Sequence, residues 1–407
     1  MGKSYKILML IENGPAPADR RVWPEATTLH DHGYQVSIIC PKRNPDYQES
    51  YICIDGIHIY RYKLPTIGHK YMAYLVEYSI AMFMTFCLSF KVLIRHGFDF
   101  IHTANPPDLF FVIGLFYRLF GKKFIFDQHD LSPELFQVKF KGSFRLLKKI
   151  LLILEKCSYR SAHLIIASNA SQKRFAIERG HIRPEKIFIV RNGPDLKHFG
   201  LVPTEPDLKG GRIFLLAYVG VMEVQDSVEN CLYALHHLIY QRGRQDIALV
   251  LLGGGDLVPA LQTLAHELRL GEYVTFTGWT TPKDIMRYLT VADVGLVPDL
   301  QNGLNEYCTM IKTMEYMAMG KPIVAFDLAE TRYSAQDAAL YATPNIVEDF
   351  SSKIETLLND EELRLRIGAL GRKRVEEMLS WAESQKNLLL AYGTLATIGT
   401  LKRSKII

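Results

Sequence analysis

Eleven short apolar runs, each leading through a loop into a helical pattern, constrain this chain more than any other feature. Six precede Val190: KILMLI, QVSIIC, FDFIHT, KKFIFD, HLIIAS and KIFIV. Each is continuous rather than alternating, as a strand buried on both faces must be. Strands separated by helices form a parallel sheet, because a parallel crossover is long and lays a helix on the sheet. The stretch RNGPDLKHFGLVPTEPDLKGGR (191–212) then breaks the rhythm with Gly, Pro and Asp, as a linker does. IFLLAYVG, IALVLLGGG, YVTFTGW, DVGLVPD and PIVAFD resume it, and a final helix from about Trp381 to Leu395 has no strand after it. The expected fold class is therefore α/β, two tandem doubly wound parallel-sheet domains facing across a cleft. The expected boundaries are 1–195, 196–379 and a terminal helix and tail, 380–407.

Length and composition agree with two cores: 407 residues, 48% of them hydrophobic. A net charge of +5 comes from 48 basic and 43 acidic residues mixed along the chain, which excludes a dedicated nucleic-acid binder and favours anionic surfaces or phosphorylated ligands. Cys40, Cys53, Cys87, Cys157, Cys231 and Cys308 form no CxxC pair and have apolar neighbours. They are expected to be buried thiols in a reducing compartment, with no disulfide and no metal site. The N-terminus MGKSYKILMLIENGPAPADRR reads as a strand rather than a secretory signal, so the expected location is cytoplasmic. A myristoylation pattern fails at Lys6.

Two stretches raise the question of a membrane. YMAYLVEYSIAMFMTFCLSF (71–90) has the length of a span, but Glu77 interrupts it and a strand follows, so a core helix is the preferred reading over interfacial contact or a span. Phe140–Lys156 sets Lys141, Arg145, Lys148 and Lys149 among Leu and Ile at helical spacing. That suits an anionic membrane surface, and equally an ordinary amphipathic helix.

Ligands of open parallel sheets bind beyond the carboxyl ends of the strands, so the loops there carry the candidate site. Gly220 follows one strand, Gly253, Gly254 and Gly255 another, and Gly278 with Trp279 a third; such glycines let a phosphorylated ligand approach the backbone. Trp279 either stacks near a base or fills a core gap. Thr309 is placed to cap a helix from about Met310 to Met319, stopped by Gly320 and Pro322, with Ile311, Met314 and Ala318 as its buried stripe. Lys312 and Glu315, three apart, sit near its positive end. Lysine there neutralises a diphosphate, and a fixed carboxylate accepts hydrogen bonds from two adjacent ribose hydroxyls. The bland alternative is a solvated lysine and a helix-start carboxylate. In the first domain, the loop with Gly14 leads to Arg20 and Arg21, which suit an acceptor phosphate or surface ion pairs. His129 ends the strand KKFIFD, there to meet a sugar hydroxyl or to cap the following helix.

MIKTMEYMAMGKPIVAFD, with YVG, LLGGGD, FTGW and ADVGLVPD before it, resembles the nucleotide-sugar half of the retaining glycosyltransferases of family 4. DRRVWPEATTLHDHGYQVSIIC, DQHDLSPELF and VRNGPDLKHF resemble the acceptor half of the same family, in the right order along nearly the whole chain. The resemblance implies two Rossmann-like domains of the B type, donor held mainly by the second and acceptor by the first, with the last helix crossing back to the first. It implies that Glu315 holds the donor ribose, that the amides of Thr309, Met310 and Ile311 face the diphosphate, and that His129 lies beside the transferred sugar. The donor it implies is a nucleotide sugar, by family frequency a UDP-sugar, with no metal. The acceptor is a glycan or lipid-linked sugar of cell-surface polysaccharide or glycolipid synthesis, and the enzyme is cytoplasmic or peripheral on an anionic membrane. Two positions depart from the family pattern. Its first glutamate falls on Tyr307, with Glu306 one residue away, and the Arg/Lys pair after the first donor-domain strand is absent from VGVMEVQDS. Removing Lys312 or Glu315 is expected to abolish transfer and spare the fold. A dehydrogenase is excluded, since LIENGPAPADRR lacks G-x-G-x-x-G. A sugar-nucleotide epimerase of like architecture and a non-catalytic nucleotide-sugar binder are the remaining alternatives.

Overall fold

The computed structural model describes residues 4–43, 46–65, 71–140 and 145–403. Among these, one compact unit takes in the chain up to Gln137, the stretch ending at Asn192 and the chain from Ser384 on; the other takes in Gly193–Glu383.

Among the described residues the first unit carries an eight-stranded sheet in the order β3-β4-β2-β1-β5-β6-β7-β8. The strands are β1 (Lys6–Leu10), β2 (Gln35–Pro41), β3 (Tyr51–Ile54), β4 (Ile57–Tyr62), β5 (Phe100–Ala104), β6 (Lys123–Gln128), β7 (Leu164–Ala167) and β8 (Ile187–Ile189). The six expected runs are all here and pair in parallel. Leu8, Met9 and Leu10 are wholly buried, each worth about 1.5–3 kcal/mol of apolar burial. The sheet is not parallel throughout: β3 pairs antiparallel with β4. The hairpin turns on Asp55-Gly56, both at positive φ (48° and 83°), the backbone that Asp-Gly adopts in tight hairpins. β3 alternates in exposure as an edge strand does, so it lacks the doubly buried pattern of the six expected strands.

The helix Tyr71–Arg95 departs from the expected core helix. Ala81, Thr85, Ser89 and Val92 face inward at helical spacing, while Phe83 is 67% and Ile94 85% exposed. Only 28% of its most apolar window is buried. Glu77 does not break the helix; it is buried and ion-paired to Arg43, which also bonds Glu12 at 2.6 Å. The helix Arg145–Ser161 likewise turns Glu155, Ser158 and Tyr159 inward and leaves Leu146, Ile150 and Ile153 exposed; Lys141 lies outside the described residues. Cys53 and Cys87 are exposed, against the expectation of buried thiols.

The second unit carries, among the described residues, a six-stranded parallel sheet in the order β11-β10-β9-β12-β13-β14. Its strands are β9 (Phe214–Val219), β10 (Ile247–Leu252), β11 (Val274–Gly278), β12 (Val294–Val297), β13 (Ile323–Phe326) and β14 (Ala339–Ala342), the last not foreseen. In β9, Leu216 and Tyr218 enter one core cluster and Leu215, Ala217 and Val219 another. Both faces are covered, which explains the unbroken apolar runs. The stretch expected as a linker is fastened to this unit. Glu205 takes two 2.6 Å bonds from Arg287, Lys209 pairs with Asp293 at 2.8 Å, and a side chain on Gly193 would stand 1.9 Å from the Leu379 carbonyl oxygen.

His163 joins β6 to β7 by an arrangement that sets a pH dependence. Its backbone N–H donates to the Phe124 carbonyl at 2.8 Å, and its ring Nδ1 accepts from the Phe124 N–H at 3.0 Å. A protonated ring cannot accept, and burial, then the cations Arg118 and Lys123, push the pKa down to about 4. An unfolded imidazole titrates near about 6.5. Between these values the unfolded chain binds the extra proton, so this contribution is complete above about pH 6.5 and is lost as pH falls toward 4. Urea unfolding from pH 7 to 4.5 is expected to show a loss of about 1–3 kcal/mol from this site. His163→Asn, whose amide oxygen replaces Nδ1, is expected to flatten that slope; an unchanged slope counts against the assignment.

Candidate active site

In the second unit β9 and β12 are hydrogen-bonded only at Leu216 with Val294 and Ala217 with Gly295; beyond that the ladder stops. β10 lies on one side of β9 and β12 on the other, so the gap between them is the topological switch point where ligands of such sheets bind. Tyr316 fills its base: its hydroxyl donates to the Leu296 carbonyl at 3.2 Å and accepts from the Val219 N–H at 2.9 Å. The ring fits because residue 295 is glycine; a Cβ there would lie 2.5 Å from it. Tyr316 thereby seats the helix Ile311–Ala318 at the gap, with Lys312 and Glu315 one turn or less before it.

That helix differs from expectation at its start. Met310, not Thr309, is the N-cap residue, and no side-chain cap is made. The Met310 carbonyl accepts from the Thr313 N–H at 3.1 Å, and no side chain caps the amides before it. Ile311 is only half-buried, whereas every residue from Lys312 to Ala318 is buried, so the expected single stripe is a helix enclosed nearly all round. Gly320, at φ +66°, ends it as expected.

Three turns from neighbouring strands meet above the gap. Gly220 N–H donates to Leu252 O, Met222 N–H to Gly254 O and Gly253 N–H to Gly278 O, at 2.9–3.1 Å. A Cβ on Gly253 would stand 1.9 Å from the Gly220 oxygen, so only glycine allows this approach. A Cβ on Gly254 would lie 2.7 Å from the Trp279 indole, and that indole is 75% exposed. The core-filling reading of Trp279 therefore falls; an open aromatic edge borders the glycine turn. Asn305, buried after β12, donates to Gln225 O and Leu300 O at 3.0 Å and ties this loop to the one after β9. Glu306 next to it accepts from Gln301 Nε2 at 3.3 Å.

Lys312 is not the bare cation expected. Its Nζ lies 2.9 and 3.1 Å from the two oxygens of Asp299 and over the Tyr218 ring. Burial opposes the charge, but Asp299 and then Asp226 outweigh it and raise the pKa, so the ammonium is retained. Burial pushes Asp226 up to about 7, with Lys312 pulling the other way. Asp299 and Asp226 escaped the sequence reading, although Asp299 stands just past a strand end, where the strand-end rule points. Glu315 is buried to 7% exposure on the same helix.

The first unit holds a second polar centre, past the end of β6. His129 Nε2 donates to Asp127 Oδ2 at 2.6 Å, and so does not cap the following helix. Its backbone is held from both sides, the N–H by Asn105 Oδ1 at 2.6 Å and the carbonyl by Gln172 Nε2 at 2.9 Å. Arg21 is not offered to an acceptor phosphate. It is 3% exposed and grips Asp127 through Nε (2.9 Å) and Nη2 (2.5 Å), with Nη1 on Val190 O and Asn192 Oδ1. Arg20 is exposed, and Gly14 lies half-buried near Asp19, whose Oδ1 accepts from the Arg21 and Val22 amides and so starts the first helix. Glu25, His102 and Asp127 each present one ligand atom within 4.8 Å of the others, a density that suits a cation. Arg21 already supplies that charge, bonded to Asp127 and 3.5 Å from Glu25. Burial, then Asp127, raises the Glu25 pKa well above the carboxylate range.

Comparison with known proteins follows the same division. A family model described as Glycosyltransferase Family 4 matches residues 18–198, and one described as Glycosyl transferases group 1 matches residues 213–360. MMP alpha-(1->4)-mannosyltransferase of Mycolicibacterium hassiacum is 25% identical over 214 residues, 52% of this chain and 49% of that protein. N,N'-diacetylbacillosaminyl-diphospho-undecaprenol alpha-1,3-N-acetylgalactosaminyltransferase of Campylobacter jejuni is 25% identical over 351 residues, 80% of this chain and 85% of that protein. The match thus spans about half the length of the first of these curated relatives and most of the second. The fold is shared with sucrose-phosphate synthase of Thermosynechococcus elongatus (TM-score 0.78, 18% identity, 97% of this chain and 100% of that one). It is also shared with Anabaena Alr3699/HepE solved with UDP-glucose (TM-score 0.72, 14% identity, 96% and 99%).

The Lys312–Asp299 pair corrects the expectation that Lys312 can be removed without harm to the fold. Lys312→Met leaves a carboxylate that is 1% exposed without its counter-charge, a loss of about 3–5 kcal/mol. The double variant with Asp299→Asn is expected to recover most of it. Urea midpoints decide; a single variant as stable as the parent contradicts the pairing.

Proposed function

Since the chain belongs to the family 4 glycosyltransferases, its first half matched by the Glycosyltransferase Family 4 model and its second by the Glycosyl transferases group 1 model, we propose that it moves a hexose from a UDP-sugar to a lipid-linked or glycan acceptor. The reaction proposed retains the anomeric configuration and serves cell-surface polysaccharide or glycolipid synthesis. The observation that carries this reading is the convergence of three glycine turns and the uncapped start of the Ile311–Ala318 helix on one strand gap, with Glu315 on that helix. In this reading the amides of residues 309–311 receive the diphosphate, the glycine turns, whose Gly220 and Gly253 N–H groups are spent on Leu252 O and Gly278 O, give it room to approach, and Glu315 accepts from the two ribose hydroxyls. Departure of the nucleotide builds negative charge on the diphosphate, which N–H donors fixed in place stabilise without reorganising. Lys312, tied to Asp299, contributes by holding the turn beside Gly220, whose Cβ would stand 3.5 Å from Lys312 Cε. No metal is called on. His129 is assigned to a hydroxyl of the transferred sugar. UDP is favoured by the UDP-glucose complex of the structural relative, and a lipid-linked acceptor by the name of the relative matched over 80% of this chain.

Glu315→Gln is expected to weaken UDP-sugar binding about 10–100-fold, the worth of charge-assisted hydrogen bonds, with little change in unfolding temperature without ligand. A thermal-shift screen over nucleotide sugars measures it, and equal shifts for parent and variant would remove the assignment. Conversion of the sugar nucleotide with no acceptor present would instead mark an epimerase.

We propose further that the first unit rests on an anionic membrane at the cytoplasmic face. Phe83, Phe90 and Ile94 on the helix Tyr71–Arg95, Val112, Leu115, Leu119 and Phe120 on and after the helix Phe111–Arg118, and Leu146 and Ile153 are exposed. Phe86 and Phe90 both pack on Phe116, which joins the first two helices into one apolar surface. Lys91, Arg95, Arg145, Lys149 and Arg160 are exposed on these helices, while Glu77 and Glu155 are buried. Apolar area bordered by cations with the acids withdrawn suits anionic headgroups. Cosedimentation with phosphatidylglycerol vesicles is expected, much reduced with phosphatidylcholine and in Phe83→Asp/Leu119→Asp. Equal recovery with both lipids would overturn this.

A further inference from the structure

The polar groups beneath His129 form a chain that ends in the last helix, Trp381–Arg403. Asp127, fully buried, is its centre: Oδ2 faces Nε2 of His129 at 2.6 Å, Nε2 of His102 at 3.3 Å and Nε of Arg21 at 2.9 Å. His102 Nδ1 lies 2.8 Å from the hydroxyl of Tyr392, and both residues are fully buried, their rings stacked.

Proton positions follow from what each group is able to do. Arg21 only donates. Burial resists ionisation of Asp127, yet Arg21 and then His129 hold its pKa well below the carboxylate range, so both oxygens accept. The nitrogen facing it, Nε2 of each imidazole, must then carry a proton, and His102 Nε2 also has Glu25 Oε2 at 3.4 Å. Burial lowers the pKa of His102 and keeps the ring neutral, which leaves Nδ1 bare; burial raises that of Tyr392, which keeps its proton and donates it there. Tyr392 O–H points to His102, His102 N–H to Asp127, and His129 N–H to Asp127 from the other side. His129 is the one link of this chain open to solvent, its side chain 10% exposed against 1% or less for Asp127 and His102.

We propose that Tyr392, His102 and Asp127 are positioning residues that lock His129 in its Nε2–H tautomer and so present Nδ1 as the hydrogen-bond acceptor for a sugar hydroxyl. The identity of the hydroxyl's owner rests on the proposed function; the tautomer does not. The last helix thereby governs the ring that meets substrate, although it contributes no group to substrate itself.

The test separates the two claims. Long-range proton–nitrogen spectra of the full-length protein with 15N-labelled histidine are expected to show His129 and His102 as Nε2–H tautomers, assigned by His129→Gln and His102→Gln. Tyr392→Phe keeps the ring and removes only the hydroxyl. It is expected to shift the nitrogen resonances of both histidines and to lower kcat about tenfold with the donor KM within about twofold, as for loss of orientation rather than of binding. Asp127→Asn, which also leaves Arg21 without its counter-ion, is judged by the spectra alone. A His129 Nδ1–H tautomer in the parent, or nitrogen shifts of His129 unmoved in a folded Tyr392→Phe, overturns the relay. Full transfer by His129→Ala, with the spectra as expected, overturns the placement of His129 at the sugar and leaves the relay standing.

Discussion

The hydroxyl of Tyr316 closes the place where the central strands of the second sheet part from one another. Past Ala217 and Gly295 the strands β9 and β12 diverge, and the Val219 amide has no ladder partner. An unpaired buried amide costs about 1–3 kcal/mol, so something must reach it. Tyr316 does, and because its ring must pass over Gly295, the helix bearing it has one depth and one rotation. Those two constraints fix where Lys312 and Glu315 stand. The placement of that helix is therefore a by-product of mending the sheet, and any change at Gly295 or Tyr316 shifts the helix that carries Lys312 and Glu315.

Charge is handled in both units by the same means. Lys312 and Arg21 read as free cations along the chain, and each is consumed by a carboxylate at the end of a strand, Asp299 in one unit and Asp127 in the other. Buried pairs of this kind add little net stability but tolerate no loss of one member. Each ties together segments distant in sequence, Lys312 on its helix to the loop after β12 and Arg21 to the end of β6.

How much could be read in advance follows from the range of each interaction. Apolar periodicity is local, so eleven strands and the two-unit plan were legible, and so were the glycine turns and Gly320, whose conformations need no Cβ. The β3–β4 hairpin carried an Asp-Gly signal that the search for doubly buried runs passed over. β14, ALYA, is only four residues long, with its two middle residues half-buried. The partners of the site residues were out of reach for another reason: Lys312 and Asp299 are 13 residues apart, Arg21 and Asp127 106, His102 and Tyr392 290. No spacing rule spans such distances. The helix Tyr71–Arg95 shows the converse, since Glu77 and the strand after it suggested a core helix, whereas among the described residues the fully buried stripe is narrow and runs through the small residues at 81, 85 and 89.

The division of the chain has a consequence for its synthesis. The first unit begins at the N-terminus but is completed by residues from Ser384 on, so it emerges from the ribosome lacking a helix whose Tyr392 belongs in its core. The second unit, contiguous from Gly193 to Glu383, has all its parts earlier. Domains otherwise tend to fold in order of emergence. Here the first-made unit must wait for a segment made after the second, and until then His102 lacks the phenol of Tyr392 that its Nδ1 meets at 2.8 Å.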